Sequence, residues 1–441
     1  MKYASARAPR YTSYPTAPHF QKGFPESTYR AWLTWLNATD PVSLYLHVPF
    51  CRRMCWYCGC SMKLARRYGP IADYLAALMA EIDLVAAATP DRLPVAHVHW
   101  GGGSPTVLSP SDLASMMAKL RDRFAIQEDA EIAIEIDPRT LTDEAIAVMA
   151  SEGFNRASLG VQEFDPQVQA AINRVQPFEL VAGAVEGLRT AGISAINFDL
   201  MYGLPFQTTS MLAKTIDQTM RLAPDRIALF GYAHVPWMAK NQRMIPEDAL
   251  PSAAERLEQS EAAAERLVSL GYRRIGLDHF ALPGDPMADG KRLRRNFQGY
   301  TTDRAETLIG FGASSIGALP QGYVQNVVET GAYMRATGDG VLPVMKGRML
   351  DNDDRLRRWI IDRLMCDLVV DLAEAAEIHG VPSDIFVPEL DRLGPMQEEG
   401  LVRLEGNKVT ILEAGRPVMR AVAAVFDAYL KEAGARHSKI A

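Results

Sequence analysis

Short apolar runs alternate with amphipathic stretches along most of this chain. "SLYLHVP" begins at Ser43, "AHVHWGG" at Ala96, "EIAIEID" at Glu131, "RASLGVQ" at Arg156, "INFDLMYG" at Ile196 and "RIALFGYA" at Arg226. Their wealth of Val, Ile, Leu and Phe predicts strands. Between them the apolar spacing changes. Ile71, Tyr74, Leu75, Leu78, Ile82 and Val85 fall on one helical face, which predicts a helix from Ile71 onward. Successive strands begin roughly 25 to 53 residues apart, enough for a helical crossover between parallel neighbours. Six βα units are countable, with "RRIGLDHF" at 273–280 as a possible extra strand. That is too few for an eight-stranded barrel, so an open or partial barrel is expected. In such folds functional side chains gather where strands end. Those positions hold Cys51, Gly101 to Gly103, Glu135, Gln162, Asp199 and Ala233-His234. Ser151-Glu152-Gly153 and Thr190-Ala191-Gly192 read as structural helix ends.

From about Asp351 the pattern changes. A long helical stretch precedes two short strands around Gly406-Asn407 and a helix after Gly415-Arg416-Pro417. This predicts a small, mainly helical, winged-helix-like domain. The hairpin carries little basic charge, and fold alone assigns no function, so DNA binding is not inferred. The expected division is an N-terminal arm at 1–40, a barrel with its extension at 41–350 and a helical domain at 351–441.

The chain has 441 residues, 48% hydrophobic and 23% charged, in keeping with one large domain and one or two smaller ones. No apolar run approaches the roughly 20 residues of a membrane span, and the start "MKYASARAPRYTSYPT" has no apolar segment of a secretory signal. A cytoplasmic protein is expected. The net charge of −6 gives no general attraction to nucleic acid or anionic membrane. Local basic runs, "RRY" at 66–68 and "KRLRRN" at 291–296, read as solvated faces. No heptad or broad apolar stripe argues against a monomer.

Four of the five cysteines stand within ten positions, Cys51, Cys55, Cys58 and Cys60; Cys366 is remote. In a reducing compartment such a cluster points to metal or redox work. Zinc is one candidate, but structural zinc sites are usually built from two separated Cys pairs, and no second pair is present. A [4Fe–4S] cluster fits the spacing better. Held by three thiolates from one loop, it would keep one iron open to a small chelating molecule. "HWGGGSPTVL" after the second strand supplies Gly101, Gly102 and Gly103, which allow a backbone to approach a ligand closely.

The C-x3-C-x2-C loop after the first strand resembles the radical S-adenosylmethionine (SAM) superfamily, and the glycine segment resembles the part that meets the SAM amino group there. Further stretches resemble one branch: "PRYTSYPTAPHF", "HVPFCRRMCWYCGC", "HWGGGSPT", "IEIDPR", "GFNRASLGVQEF", "NFDLMYGLP", "YAHVP" and "RRNFQGYTT". Together they are similar to the oxygen-independent coproporphyrinogen III oxidases over nearly the whole chain, the helical C-terminal region included. The resemblance implies a partial (β/α)6 radical SAM barrel and an oxidoreductase of heme and porphyrin biosynthesis. It would convert two propionates of coproporphyrinogen III to vinyl groups, giving protoporphyrinogen IX. A [4Fe–4S] cluster, two SAM molecules and a reductant such as flavodoxin or ferredoxin are implied.

Carried over by motif, Cys51, Cys55 and Cys58 ligate the cluster. Tyr45, Gly102, Glu135 and Ile316 would contact the first SAM. Tyr57, Gly103, Ser104, Gln162, Arg174, Asp199 and Ala233 would contact the second. Cys60 is the family's extra, non-ligating cysteine and is a catalytic candidate. So are Arg10, Tyr11 and Tyr14, which could close over the substrate or serve as an ordered docking arm. Tyr57, Ser104 and Gly231 stand where the family often has Phe, Thr and Asn. A heme chaperone of the same branch is the alternative, though those proteins generally lack the "YTSYPT" arm and the fourth cysteine.

Overall fold

The computed structural model describes residue 3 and residues 7–289 and 293–431. These form two compact units, one of residues 21–251 and 305–348, the other of residues up to 20, 252–304 and from 349 onward.

The first unit is the barrel. Strands β1 (Val42–Val48), β2 (Pro94–Gly102), β3 (Ala125–Ile136), β4 (Arg156–Gln162), β5 (Ala195–Tyr202) and β6 (Arg226–Gly231) lie side by side in chain order, and every neighbouring pair is parallel. Helices α1 (Gly69–Ala88), α2 (Pro110–Arg123), α3 (Asp143–Ser151), α4 (Phe178–Thr190) and α5 (Thr209–Met220) make the crossovers. Local chemistry fixes several helix starts. Ser109, Thr142 and Thr208 each accept a backbone N–H of the first turn through the side-chain oxygen, satisfying a donor that the helix leaves orphaned. The expected six-unit partial barrel is thus present. It also has a seventh parallel strand, β7 (Thr307–Phe311), on the other side of β1. An antiparallel meander follows through β8 (Ile316–Leu319) and β9 (Gly322–Asn326).

Strand alternation separates two environments. Leu44, Leu46, Val48, Val98, Trp100, Ile134, Leu159, Ile196, Phe198 and Leu200 are all fully buried. The intervening positions, Tyr45, His47, His97, His99, Glu131, Glu135, Ser158, Asn197 and Asp199, are mostly polar and share the other face, because successive strand residues point to opposite sides. The ladder aligns Tyr45 with His99, His99 with Ala133, Glu135 with Ser158 and Gly160 with Asp199.

The second unit is built on helix Asn352–Asp367, started by a capping box of Asp351 and Asp354. A three-stranded antiparallel sheet of Val369–Asp371, Val402–Glu405 and Lys408–Ile411 packs with it. The turn between the last two strands holds Gly406-Asn407. Residues 252–304, read from the sequence as part of the barrel's extension, belong to this unit. Tyr300 Oη donates to the Met365 carbonyl at 2.7 Å and Arg363 to that of Leu293 at 2.9 Å. Segment 273–280 is strand, as anticipated, but not a further parallel βα unit: Arg273–Ile275 and His279–Ala281 form a short antiparallel hairpin. The run at 291–296 is likewise not simply solvated. Residues 291 and 292 lie outside the described residues, but the Arg295 side chain is only 4% exposed, faces Asp278 and lies over the Tyr300 ring. Burial alone would raise the Asp278 acid, but Arg295 and then His279 outweigh it and hold it down to about 2. Tyr11 and Tyr14 are buried in this unit's core beside Leu356, Ile360, Phe386 and Phe426. Tyr11 Oη donates to Asp427 at 3.0 Å, and Tyr14 Oη accepts from the Ala428 N–H at 3.0 Å. Both hydroxyls are thus engaged in docking the N-terminal segment, while Arg10 is exposed.

Leu46→Ala removes a fully buried side chain from the apolar face of β1. Such truncations typically cost about 2–5 kcal/mol, and a fall of that size is expected in denaturant unfolding.

Candidate active site

The cysteine loop follows β1. The short parallel pair Phe50–Cys51 and Lys63–Leu64 closes its base. The glycine segment is joined to that base: Gly103 N–H donates to the Val48 carbonyl at 2.9 Å and Ser104 N–H to that of Phe50 at 2.8 Å. A Cβ on Gly103 would lie 2.5 Å from the Phe50 oxygen, so only glycine permits this approach. Gly102 takes φ +113°, and a Cβ there would lie 2.7 Å from the His47 ring.

Four consecutive carbonyls of the loop, those of residues 55–58, are held by two neighbouring amides. Asn241 Nδ2 lies 3.1 Å from the Cys55 oxygen, 3.2 Å from that of Trp56 and 2.8 Å from that of Cys58. Gln242 Nε2 donates to Tyr57 at 2.8 Å and to Ala233 at 3.1 Å, while its Oε1 accepts the Val235 N–H. Two further bonds tie the loop to the end of the helical turn at 166–171. Trp56 N–H meets the Ile172 carbonyl at 3.0 Å, and Asn173 Nδ2 that of Met54 at 2.7 Å. The next residue, Arg174, is thereby brought to Cys55.

The polar interior then assembles in two groups. Tyr45 stacks on His99 at 5.8 Å, and His99 Nε2 lies 3.2 Å from Glu135. The other Glu135 oxygen accepts the Gly102 N–H at 3.2 Å. Burial opposes ionisation of Glu135, but His99 and the Gly102 amide hold its acid below the usual carboxylate range. His47 bridges Tyr45 Oη at 3.0 Å and the Ser61 carbonyl at 3.1 Å. Burial keeps its pKa down, so Nε2 carries the proton toward the carbonyl and Nδ1 accepts from Tyr45. Gly310 stands opposite Tyr45 in the ladder, and a Cβ on it would lie 2.8 Å from the Ile316 oxygen. Tyr45, Gly102, Glu135 and Ile316 are therefore neighbours.

The second group centres on Gly160. Arg174 donates to the Gly160 carbonyl, lies 3.4 Å from Asp137 and reaches Cys55 Sγ at 3.4 Å. A Cβ on Gly160 would meet both Arg174 and Gln162, and Asp199 is opposite in the ladder. Burial, with Glu135 nearby, pushes the Asp199 acid up to about 7. Tyr57 and Ala233 are linked through Gln242. Ser104 is buried, its hydroxyl 2.9 Å from that of Thr106.

The three thiols suit a cluster. Cys51 and Cys58 are partly buried and Cys55 is buried, and all are free. Arg139 Nη2 joins Arg174 at Cys55 Sγ, at 3.3 Å, an arrangement for a sulfur that carries negative charge. Cys60 N–H lies 3.4 Å from Cys58 Sγ. Cys60 brings the Cys58 thiol down to about 7, whereas burial and the neighbouring thiols push Cys51 up to about 12. Among the described residues no three His, Cys, Asp or Glu side chains surround a point that one ion could occupy. A cube asks for no such point, since each thiolate binds its own iron. The buried Arg174 Nε has no hydrogen-bond partner among the described residues, which fits a carboxylate-bearing ligand at this spot.

Comparison with known proteins agrees with this geometry. Residues 45–219 match the Radical SAM superfamily. An oxygen-independent coproporphyrinogen III oxidase of Bradyrhizobium diazoefficiens is 51% identical over 442 residues, covering 100% of this chain and 98% of the relative. The chain belongs to the oxygen-independent coproporphyrinogen III oxidase family. A family member from Paracoccus denitrificans is 43% identical, covering 96% of this chain and 94% of its own. The solved structure of coproporphyrinogen III oxidase from Escherichia coli, described as a radical SAM enzyme, superposes with a TM-score of 0.91 at 36% identity. It covers 96% of this chain and 98% of its own. Among the described residues no helix is long and apolar enough to cross a membrane.

Sequence reasoning missed His47, His99, Asp137, Arg139, Asn241 and Gln242. The first four had a signal, since the histidines share a strand face with Tyr45 and the last two lie in "IEIDPR". Asn241 and Gln242 had none, being ordinary amides about 180 residues from the loop they hold.

Asn241→Ala should leave three loop carbonyls without their shared donor. A net hydrogen bond is worth about 0.5–1.5 kcal/mol, so faster hydrogen exchange across 51–60 and quicker iron loss to a chelator are expected. Asp199→Asn tests the buried acid. Its folded pKa lies above the ordinary 3.8, so wild-type stability falls as pH rises through that window and levels off above about 7. The variant should gain on wild type by about 1.4 kcal/mol per pH unit up to there, read as the difference in apo-protein Tm between pH 5.5 and 8.5.

Proposed function

We propose that this chain is an anaerobic coproporphyrinogen III oxidase, converting two propionate side chains of its substrate to vinyl groups to give protoporphyrinogen IX in heme biosynthesis. The carrying observation is the three-thiol loop locked to the Gly101–Ser104 segment beside a polar barrel interior, in a chain matched to its relatives end to end. Each propionate loses a hydrogen atom, taken by the bound cofactors, and then carbon dioxide and one electron, the electron passing to a one-electron acceptor outside the chain. Cys51, Cys55 and Cys58 hold a [4Fe–4S] cluster, and two SAM molecules occupy the two side-chain groups described above. Once bound, these cofactors supply one-electron reducing power and abstraction of hydrogen from an unactivated C–H bond.

The protein's part is to bind and orient. Glu135, kept ionised by His99 and the Gly102 amide, accepts hydroxyl or ammonium protons of the first SAM, with the Tyr45 ring alongside. Ile316 adds an apolar contact. Gly103, Ser104, Tyr57 and Ala233 border the second SAM. Arg174 offers its unpartnered Nε–H to a carboxylate there, and Gln162 and Asp199 complete that group. Asp199, with its acid near 7, can donate as well as accept. Cys60, adjoining the cluster loop, is a catalytic candidate without being a ligand. Tyr11 and Tyr14 dock the N-terminal segment, an arrangement that supports a structural role for it. A small protein reductant, flavodoxin or ferredoxin, supplies the electron, and the enzyme acts as a cytoplasmic monomer.

The test is an anaerobic assay of the reconstituted protein with coproporphyrinogen III, SAM and a reductant. Protoporphyrinogen IX should form, and no product with a full cluster present would refute the reading. Cys51→Ala, Cys55→Ala and Cys58→Ala should each lose the cluster by iron and sulfide analysis, while Cys60→Ala keeps it. Arg174→Ala should retain iron yet bind the second SAM roughly ten- to a hundredfold more weakly, the loss of a charge-assisted bond of about 1.5–3 kcal/mol.

A further inference from the structure

The cysteine loop lies in the most one-sided charged stretch near the site. Residues 41–72 contain Arg52, Arg53, Lys63, Arg66 and Arg67 and no Asp or Glu, in a chain whose net charge is −6. Folding brings these cations together. The short strand pair sets Cys51 opposite Leu64, Ala65 N–H donates to the Cys51 carbonyl, and Arg52 Nη1 reaches the Ala65 carbonyl at 3.1 Å. Arg52 also faces the Tyr68 ring, 6.0 Å away, and Tyr68 in turn binds Ser109 and Asp112 at the start of α2. That places Arg52 against the helical wall and not among the interior carboxylates. Lys63 is partly neutralised by Glu329 at 3.3 Å. Arg53, Arg66 and Arg67 are exposed and make no ion pair among the described residues.

We infer that this arginine patch is the docking surface for the protein that reduces the cluster, an acidic one-electron carrier with a flavin or iron–sulfur centre. The inference rests on the cluster-dependent function proposed above and goes beyond it by placing the encounter. An acidic carrier is repelled by the chain's net negative charge, so it needs a local positive field to approach productively. Arg53 is two residues from the ligand Cys51, so a carrier seated there lies beside the cluster. In the step, the carrier is oxidised by one electron as the cluster is reduced by one; no bond is made or broken. An exposed patch acts mainly on association, and salt should screen it.

The experiment uses the reconstituted full chain and follows bleaching of its visible absorbance after mixing with fully reduced flavodoxin, or separately with dithionite, at low and high salt. The triple variant Arg53→Glu, Arg66→Glu, Arg67→Glu is compared with wild type. With flavodoxin at low salt the variant's second-order rate should fall at least about tenfold, and the gap should close at high salt. Iron content, reduction by dithionite and dithionite-driven turnover should match wild type. If the triple variant fails to hold iron, Arg53→Glu and Arg67→Glu singly carry the same comparison. A flavodoxin rate unchanged by charge reversal overturns the inference. So does an equal loss of dithionite-driven turnover with a raised KM for substrate, which would assign the patch to the substrate's carboxylates. A wild-type chain that holds no cluster, or takes no electron from dithionite, overturns the functional reading beneath it and the inference with it.

Discussion

A parallel ladder in fixed register governs this protein's chemistry. A slip of one residue in any strand would turn its polar side chains outward and bury its apolar ones in the interior. The fully buried outer positions, such as Leu44, Val98, Ile134 and Phe198, resist that slip strongly. Their burial fixes where Tyr45, His99, Glu135 and Asp199 point. The apolar face thus sets the geometry of the polar one.

The cysteine loop poses the opposite problem. Its thiols are free, and its carbonyls would be left unpaired if nothing came to meet them. Side-chain amides from the segment after β6 and from Asn173 do so. Gln242 also bonds the Ala233 carbonyl and so ties the cysteine loop to the segment that follows β6. Arg174 extends this coupling by touching Cys55, Gly160 and Asp137 together.

The interior carboxylates are set to different states by their neighbours. Glu135 has two donors and stays ionised. Asp199, buried and near that same charge, holds its proton to about neutrality. Like charges at close quarters push their pKa values apart. The interior thus presents one acceptor and one group able to donate.

Much of this was legible in the sequence. The apolar runs rich in Val, Ile, Leu and Phe and the spacing of helices between them determined the βα barrel, because each signal is local and follows from a few adjacent residues. The motif positions Glu135 and Gln162 fell at strand ends for the same reason, whereas Tyr45 and Asp199 lie within β1 and β5. Tertiary structure alone decided the rest. It added β7 from residue 307 beside β1, drew 252–304 into the C-terminal unit and sank Arg295 against Tyr300. It also brought Asn241 and Gln242 to carbonyls far back in the chain. Such contacts depend on which surfaces meet once the layers pack, and an amide that will hold a loop looks, in sequence, like any amide on a solvated turn.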